Sequence, residues 1–213
     1  MKKRRMMIST IMMLIMMVAA LNVSGAVETV RYWHSDKNTV GYMSGDGSYH
    51  IYNLISDTTF NSNVNSAVSF ATEKWNSVLP LSVFSTSVNY AKNDIYSGTR
   101  TKLKAYFPAL ENNSDITGIT DCVGRTYTAD VKYNGTSKKV YKYTYGAKVG
   151  IIKRSGVGLS AYKNTAIHEM GHMFGWEGHS NNNSDIMYKE TNGVVTLTSR
   201  DKNHIKQIYN LFY

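Results

Sequence analysis

The stretch from His168 to His179 constrains the fold more than any other part of this 213-residue chain. If residues 160–175 form a helix, His168 and His172 lie on one face of it, one turn apart. Two imidazoles at this spacing reach the same ion and suit zinc. Glu169 projects beside that face, where its carboxylate reaches a water near the ion without binding the ion. The pattern predicts a metal site with a general base, which is hydrolytic chemistry.

A catalytic zinc usually takes three protein ligands, so a third ligand is expected nearby. On a continuous helix His179 would lie about 16 Å along the axis from His168, which is too far for one ion. The chain therefore has to leave the helix and fold back. Gly175 and Gly178 are of the residue type that takes the left-handed conformation such a turn needs. We expect His179 as the third ligand, with Glu177 as the weaker candidate.

The order of these residues, and of those that follow, resembles a known family. The chain is similar to the metzincin zinc peptidases, and among them to the matrixins, in the pattern His168-Glu169-x-x-His172-x-x-Gly175, then His179, then Asp185-Ile186-Met187-Tyr188. The family usually has its third histidine where this chain has Gly178. We interpret the shift to His179 as a fold-back loop that is longer by one residue.

The resemblance implies an α+β fold of the zincin type. In that fold a twisted mixed β-sheet with two long helices faces a small C-terminal subdomain with a final helix across an active-site cleft. It also implies a methionine turn at Met187 beneath the metal, and a zinc endopeptidase in which Glu169 takes a proton from the zinc-activated water. Tyr188 is not assigned to the metal, because families with a tyrosine ligand place it two residues after the methionine. Asp185 is interpreted as a residue that orients a ligand or the neighbouring backbone.

Residues 1–26 have the pattern of an export signal. A basic start is followed by an apolar run over residues 6–21 and by small residues that end at Ala26. The run is shorter than the roughly 20 residues that span a bilayer. We therefore predict a secreted, extracellular protein with its catalytic domain at 27–213 and no stable membrane insertion after cleavage.

The composition of the chain excludes some classes of partner. Four of the 24 basic residues lie in the leader, which leaves 20 against 15 acidic residues and a net charge of +5. This mild balance does not favour nucleic acid. The family resemblance implies a protein or peptide substrate as the partner, and a monomer is the expected state. Cys122 is the only cysteine, which excludes an intramolecular disulfide, and we assign it no role in latency.

One catalytic zinc is predicted. Calcium is possible but undetermined, and the acidic residues show no calcium-loop signature.

Hydrophobic periodicity predicts the remaining elements. The predicted helices are 61–79, with Trp75 in the core and a cap at 61–63, and a final helix opened by Thr198 and Asp201. The predicted strands lie within 27–52, at 82–88, 102–107, 118–128 and 147–153, with an added lysine-rich hairpin at Asn134-Gly135. The resemblance implies that residues 119–127 form the edge strand to which a substrate adds.

Two other interpretations remain open on sequence alone. A zinc-bearing but inactive secreted binding module would keep the ligands without turnover, and an adhesion domain would need no metal. The carboxylate of Glu169 beside the predicted ligands disfavours both, because a structural zinc needs four closed ligands and no free base. His34, His50 and His204 have no ligand-like spacing, so we expect them at the surface or in hydrogen bonds.

Overall fold

The structure is a computed structural model that describes residues 41–43, 48–79, 93–133, 136–176 and 178–210. For 41–43, 123–133, 136–145 and 207–210 the description covers the backbone alone. The predicted leader, the predicted strand at 82–88, His34 and Glu177 lie outside the described residues. Within the described ranges, no helix has the length and apolar character needed to cross a membrane.

A mixed five-stranded sheet forms the centre of the described fold. Its strands are β1 (Gly41–Met43), β2 (Tyr49–Asn53), β3 (Asn93–Gly98), β4 (Gly118–Tyr133) and β5 (Thr136–Ile152). Strands β1, β5, β3 and β2 are parallel neighbours in that order, whereas β4 pairs antiparallel with β5. Among the described residues β4 has β5 as its only strand neighbour. This confirms the edge strand that was expected at 119–127.

Strands β4 and β5 form one long hairpin rather than two separate pairs. The register runs from Gly118 opposite Ile151 to Tyr133 opposite Thr136, with irregularities after Val123 and Thr128. The predicted strands at 118–128 and 147–153 and the predicted added hairpin are therefore parts of one ribbon. The bulges let pairing continue through positions where the sequence pattern breaks.

The first long helix, α1 (Thr58–Asn76), begins three residues before the predicted start. Its cap is the carboxylate of Asp57, which accepts a hydrogen bond from the backbone N–H of Phe60 at 2.9 Å, so the cap expected at 61–63 is wrong. Trp75 is fully buried, and its indole N–H donates to the carbonyl oxygen of Ile167 at 3.0 Å. The predicted core role of Trp75 is confirmed, and this bond ties α1 to the helix that carries the histidines.

The strand predicted at 102–107 is wrong. This stretch contains the short helix α2 (Arg100–Leu103), capped by Thr99, and a 3-10 helix (Pro108–Glu111) follows. Leu103, Phe107 and Leu110 recur at helical spacing and are buried together. The short alternation of lysines with apolar residues imitated a strand, while the actual strand β3 lies just before it.

Two further helices complete the fold and place the candidate site. Helix α3 (Leu159–Met173) carries His168, Glu169 and His172, and α4 (Ser199–Asn210) is the predicted final helix. Its capping box is confirmed, since Thr198 N–H donates to Asp201 Oδ2 at 2.8 Å and Asp201 N–H donates to Thr198 Oγ1 at 3.0 Å. The architecture is the predicted α+β fold with a mixed sheet, two long helices and a final helix.

Candidate active site

The structure brings His168, His172 and His179 together. One ring nitrogen from each lies within 4.8 Å of the others. The Nε2 atoms of His168 and His172 are 3.2 Å apart, close to the roughly 3.4 Å that a tetrahedral zinc imposes on two nitrogen ligands. The spacing of four residues on α3 therefore produces the predicted pair, and the chain returns to add the third ring.

Hydrogen bonds fix the tautomers of the two helical histidines. His168 Nδ1 donates to the carbonyl oxygen of Ile186 at 2.8 Å, and His172 Nδ1 donates to that of Trp176 at 2.7 Å. A carbonyl oxygen only accepts, so each Nδ1 carries the proton and each Nε2 presents a lone pair. Both rings are held in the state that binds a cation.

The fold-back between the second and third histidine uses the two predicted glycines. Gly175 has a φ of 100° and Gly178 a φ of 72°, both in the left-handed region that favours glycine. Gly175 N–H bonds to the carbonyl of His172 at 3.0 Å and closes the helix. The ring of His179 then lies 5.2 Å from that of His168 and 5.0 Å from that of His172, between centroids.

The three rings favour a metal cation over protons. Burial lowers the pKa of His168 and, by more, the pKa of His172, where the neighbouring His168 adds to the effect. Burial also lowers the pKa of His179 to about 4, with a further contribution from His168. All three are neutral near pH 7 and offer lone pairs to one point, so the donor set fits zinc.

Glu169 lies beside the three rings and is buried. Burial raises its pKa to about 7, while the hydroxyl of Thr120 donates to Oε2 at 2.6 Å and opposes that rise. A Cβ on Gly118 would lie 2.7 Å from Glu169 Oε1 and 2.7 Å from Thr165 Cγ2, so only glycine lets β4 approach α3 this closely. Sequence reasoning missed Thr120 and Gly118. Their position in the alternating pattern of an edge strand was the one signal available.

Met187 lies directly beneath α3, the helix that carries two of the three candidate ligands. It is fully buried, and a Cβ on Gly171 would collide with its thioether and lie 2.9 Å from Trp75. The turn is held by a hydrogen bond from Ser180 N–H to the carbonyl of Met187 at 2.7 Å. The close packing of a methionine against the glycine between the two histidines matches the expected methionine turn.

Asp185 anchors this turn through a buried network. Its carboxylate accepts from Ser180 Oγ, from Thr198 Oγ1 at 2.9 Å and from Arg200 Nε at 2.9 Å. The next residue, Ile186, supplies the carbonyl that orients His168. Asp185 therefore positions backbone next to a candidate ligand, as the sequence indicated.

The other candidate residues lie apart from this centre. His50 stacks on Tyr52 with centroids 4.5 Å apart. His204 is buried against the ring of Trp176 at 3.9 Å, so the structure excludes a surface position for it. Tyr188 lines the cleft, a cavity of about 670 Å³ between β4, α3 and the segment after Met187.

The fold and the three-histidine centre define a metallopeptidase of the metzincin class. The family model described as matrixin matches residues 42–210, and the chain belongs to the matrixin family. The solved structure of myroilysin is similar at a TM-score of 0.39 and 12% identity, covering 89% of this chain and 95% of that one. Among curated proteins, none matches significantly. The family is zinc-dependent, and its substrates are proteins or peptides.

Proposed function

We propose that this chain is a secreted zinc endopeptidase with His168, His172 and His179 as ligands and Glu169 as general base. The observation that carries the proposal is the convergence of three neutral imidazoles on one point, with a buried carboxylate next to it. A catalytic rather than structural centre is supported because three protein ligands leave one position open. The proposed catalytic domain is 27–213, acting as a monomer.

The residues of the chain divide the reaction between them. His168, His172 and His179 would hold a zinc ion, which would supply Lewis-acid chemistry toward the scissile carbonyl and a water. Glu169 accepts the proton of the attacking water and passes it to the leaving amine. Thr120 holds the carboxylate in place, and the free edge of β4 offers backbone groups to an extended peptide.

Secretion is proposed from the leader-like pattern of residues 1–26. Three observations support it: the basic start, the short apolar run and the small residues that end at Ala26.

The alternative function is a zinc-bearing module without turnover. Such a module would have no use for the carboxylate of Glu169.

The proposal is tested by cleavage of casein and gelatin with zinc content measured in the same preparations. Wild type is expected to cleave and to hold zinc, and Glu169→Gln to hold zinc with cleavage reduced by at least about a hundredfold. Glu73→Gln, on the exposed face of α1, is the matched control and should equal wild type. Zinc-loaded wild type that cleaves nothing, or full activity in Glu169→Gln, would overturn the proposal.

A further inference from the structure

One wall of the cleft beside Glu169 consists of polar side chains from three different elements. Thr117 precedes β4, Asn164 and Thr165 lie on α3, and Thr191 lies in the segment after Met187; all four line the cleft. The hydroxyl of Thr117 is 3.4 Å from that of Thr165 and 3.3 Å from that of Thr191. These three hydroxyls form a continuous chain across the cleft wall.

The direction of hydrogen bonding along this chain follows from its inner end. Thr165 Oγ1 donates its single proton to the carbonyl of Ala161 at 3.1 Å and accepts from Arg154 Nη2 at 3.1 Å. Since Thr165 has no second proton, Thr117 must donate to it, and Thr191 must then donate to Thr117. The hydroxyl protons of the chain are consumed within the wall, which leaves oxygen lone pairs toward the cleft.

Asn164 likewise offers a hydrogen-bond acceptor and no free donor. Its side-chain amide donates to the carbonyl of Val194 at 2.6 Å and to Asn192 Oδ1 at 3.0 Å. Because the carbonyl of Val194 only accepts, the amide orientation of Asn164 is determined, and both of its N–H groups are used. Only the oxygen of this amide remains to be satisfied.

The charges along the cleft reinforce this polarity. Asp115 and Glu190 are among the lining residues, and Lys189, the one lysine among the described lining residues, lies 3.6 Å from Glu190. Arg154 donates to Thr165 from behind the wall and is not among the lining residues, so it offers no donor to the cleft. An aliphatic substrate side chain against this wall would leave acceptors desolvated and unpaired, which costs about 1–3 kcal/mol per group.

We propose that the wall formed by Thr117, Asn164, Thr165 and Thr191 selects substrates with a hydrogen-bond-donating side chain next to the scissile bond. The chemical class is a side chain that ends in N–H groups: glutamine, asparagine, lysine or arginine. This inference rests on the proposed function, and it adds the substrate class that the same site accepts.

The test uses zinc-loaded enzyme and peptides that differ only in the residue on either side of one scissile bond. Glutamine, lysine, leucine and glutamate are placed there in turn, and cleavage positions and kcat/KM are measured by mass spectrometry. At one of the two positions, kcat/KM for the glutamine and lysine peptides is expected to exceed that for the leucine peptide by at least about tenfold. The glutamate peptide is expected to be cleaved more slowly still, with a larger difference from glutamine and lysine. The ratio of lysine to glutamine separates recognition of charge from recognition of the N–H group.

A pair of isosteric variants assigns the preference to the wall. Thr191→Val is expected to lower the glutamine-to-leucine ratio by at least about threefold, because it replaces an acceptor on the wall with an apolar methyl group. Thr196→Val, at an exposed threonine outside the cleft lining, should leave the ratio unchanged. Cleavage that prefers leucine, or a ratio unaffected by Thr191→Val, would overturn this inference alone. Zinc-loaded enzyme that cleaves none of the peptides would overturn the proposed function and this inference together.

Discussion

The proposed general base, Glu169, depends on a residue from another element. Glu169 is fixed by the hydroxyl of Thr120 on β4, which donates to its carboxylate at 2.6 Å and lies 3.0 Å from its backbone carbonyl. A buried carboxylate without this donor would be less well oriented and harder to ionise, because burial already raises its pKa to about 7. The position of one proton acceptor is therefore set by the pairing of an edge strand.

This dependence predicts the effect of removing the hydroxyl while keeping the shape of the side chain. Thr120→Val is expected to lower kcat by about tenfold with little change in zinc content, since the ligands are untouched. Thr120→Ser, which keeps the donor, should restore most of the loss. Equal kcat in wild type and Thr120→Val would show that the hydroxyl of Thr120 does not position Glu169 for catalysis.

At the level of secondary-structure elements, an ion pair with a buried carboxylate and a half-buried guanidinium holds the methionine turn to α4. Arg200 Nη2 contacts Asp185 Oδ2 at 2.5 Å, and the side chain of Asp185 is only 3% exposed. This pair fixes the segment whose Ile186 carbonyl orients His168. Loss of the pair should therefore affect both folding and the metal centre.

Arg200→Met is expected to lower the free energy of unfolding by about 3 kcal/mol, because it leaves the buried carboxylate of Asp185 without its countercharge. It should also weaken zinc binding. Lys104→Met is the matched control, since it breaks the exposed pair with Glu111 and should cost less than about 1 kcal/mol. Denaturant unfolding of the three proteins provides the comparison, and equal losses in the two variants would contradict this account of the turn.

The sequence predicts an element well when neighbouring residues determine it, and poorly when contacts with distant residues do. Helix α3, its glycine exit and the capping box of α4 rest on neighbouring residues, so spacing alone predicted them. The strand predicted at 102–107 is wrong because it rests on a short alternation of polar and apolar residues. The helical structure there buries Leu103 with Phe107 and Leu110 in a second hydrophobic cluster, which the local pattern does not show. Thr120 was missed because its role follows from the register of β4 on β5, with Thr120 opposite Val149, which no short pattern contains.

For the whole molecule, the packing of α4 against the segment after α3 makes stability depend on pH. His204 on α4 is buried against Trp176, and burial lowers its pKa to about 3 from the ordinary 6.5. The unfolded chain takes up a proton as the pH falls below 6.5, while the folded chain does not until about pH 3. Folding is therefore favoured above pH 6.5 and loses stability as the pH falls through this window.

Metal-free wild type is expected to lose about 2 kcal/mol more free energy of unfolding than His204→Phe between pH 7.5 and pH 5. Phenylalanine keeps an aromatic ring against Trp176 and removes the titrating group. Because the metal-free state is compared, the three candidate ligands contribute equally to both proteins. Denaturant titrations at the two pH values would contradict the assignment if both proteins lost the same amount.

For the whole molecule, we propose that one chain folds back on itself to build a three-histidine zinc centre. A direct test is the zinc content of purified wild type, His179→Ala and His50→Ala after equilibration with a small molar excess of zinc and gel filtration. One zinc per chain is expected in wild type and in His50→Ala, and a large loss in His179→Ala, because two nitrogens hold the ion far less tightly than three. Zinc retained at the wild-type level by His179→Ala would contradict the ligand set and the fold-back that places it.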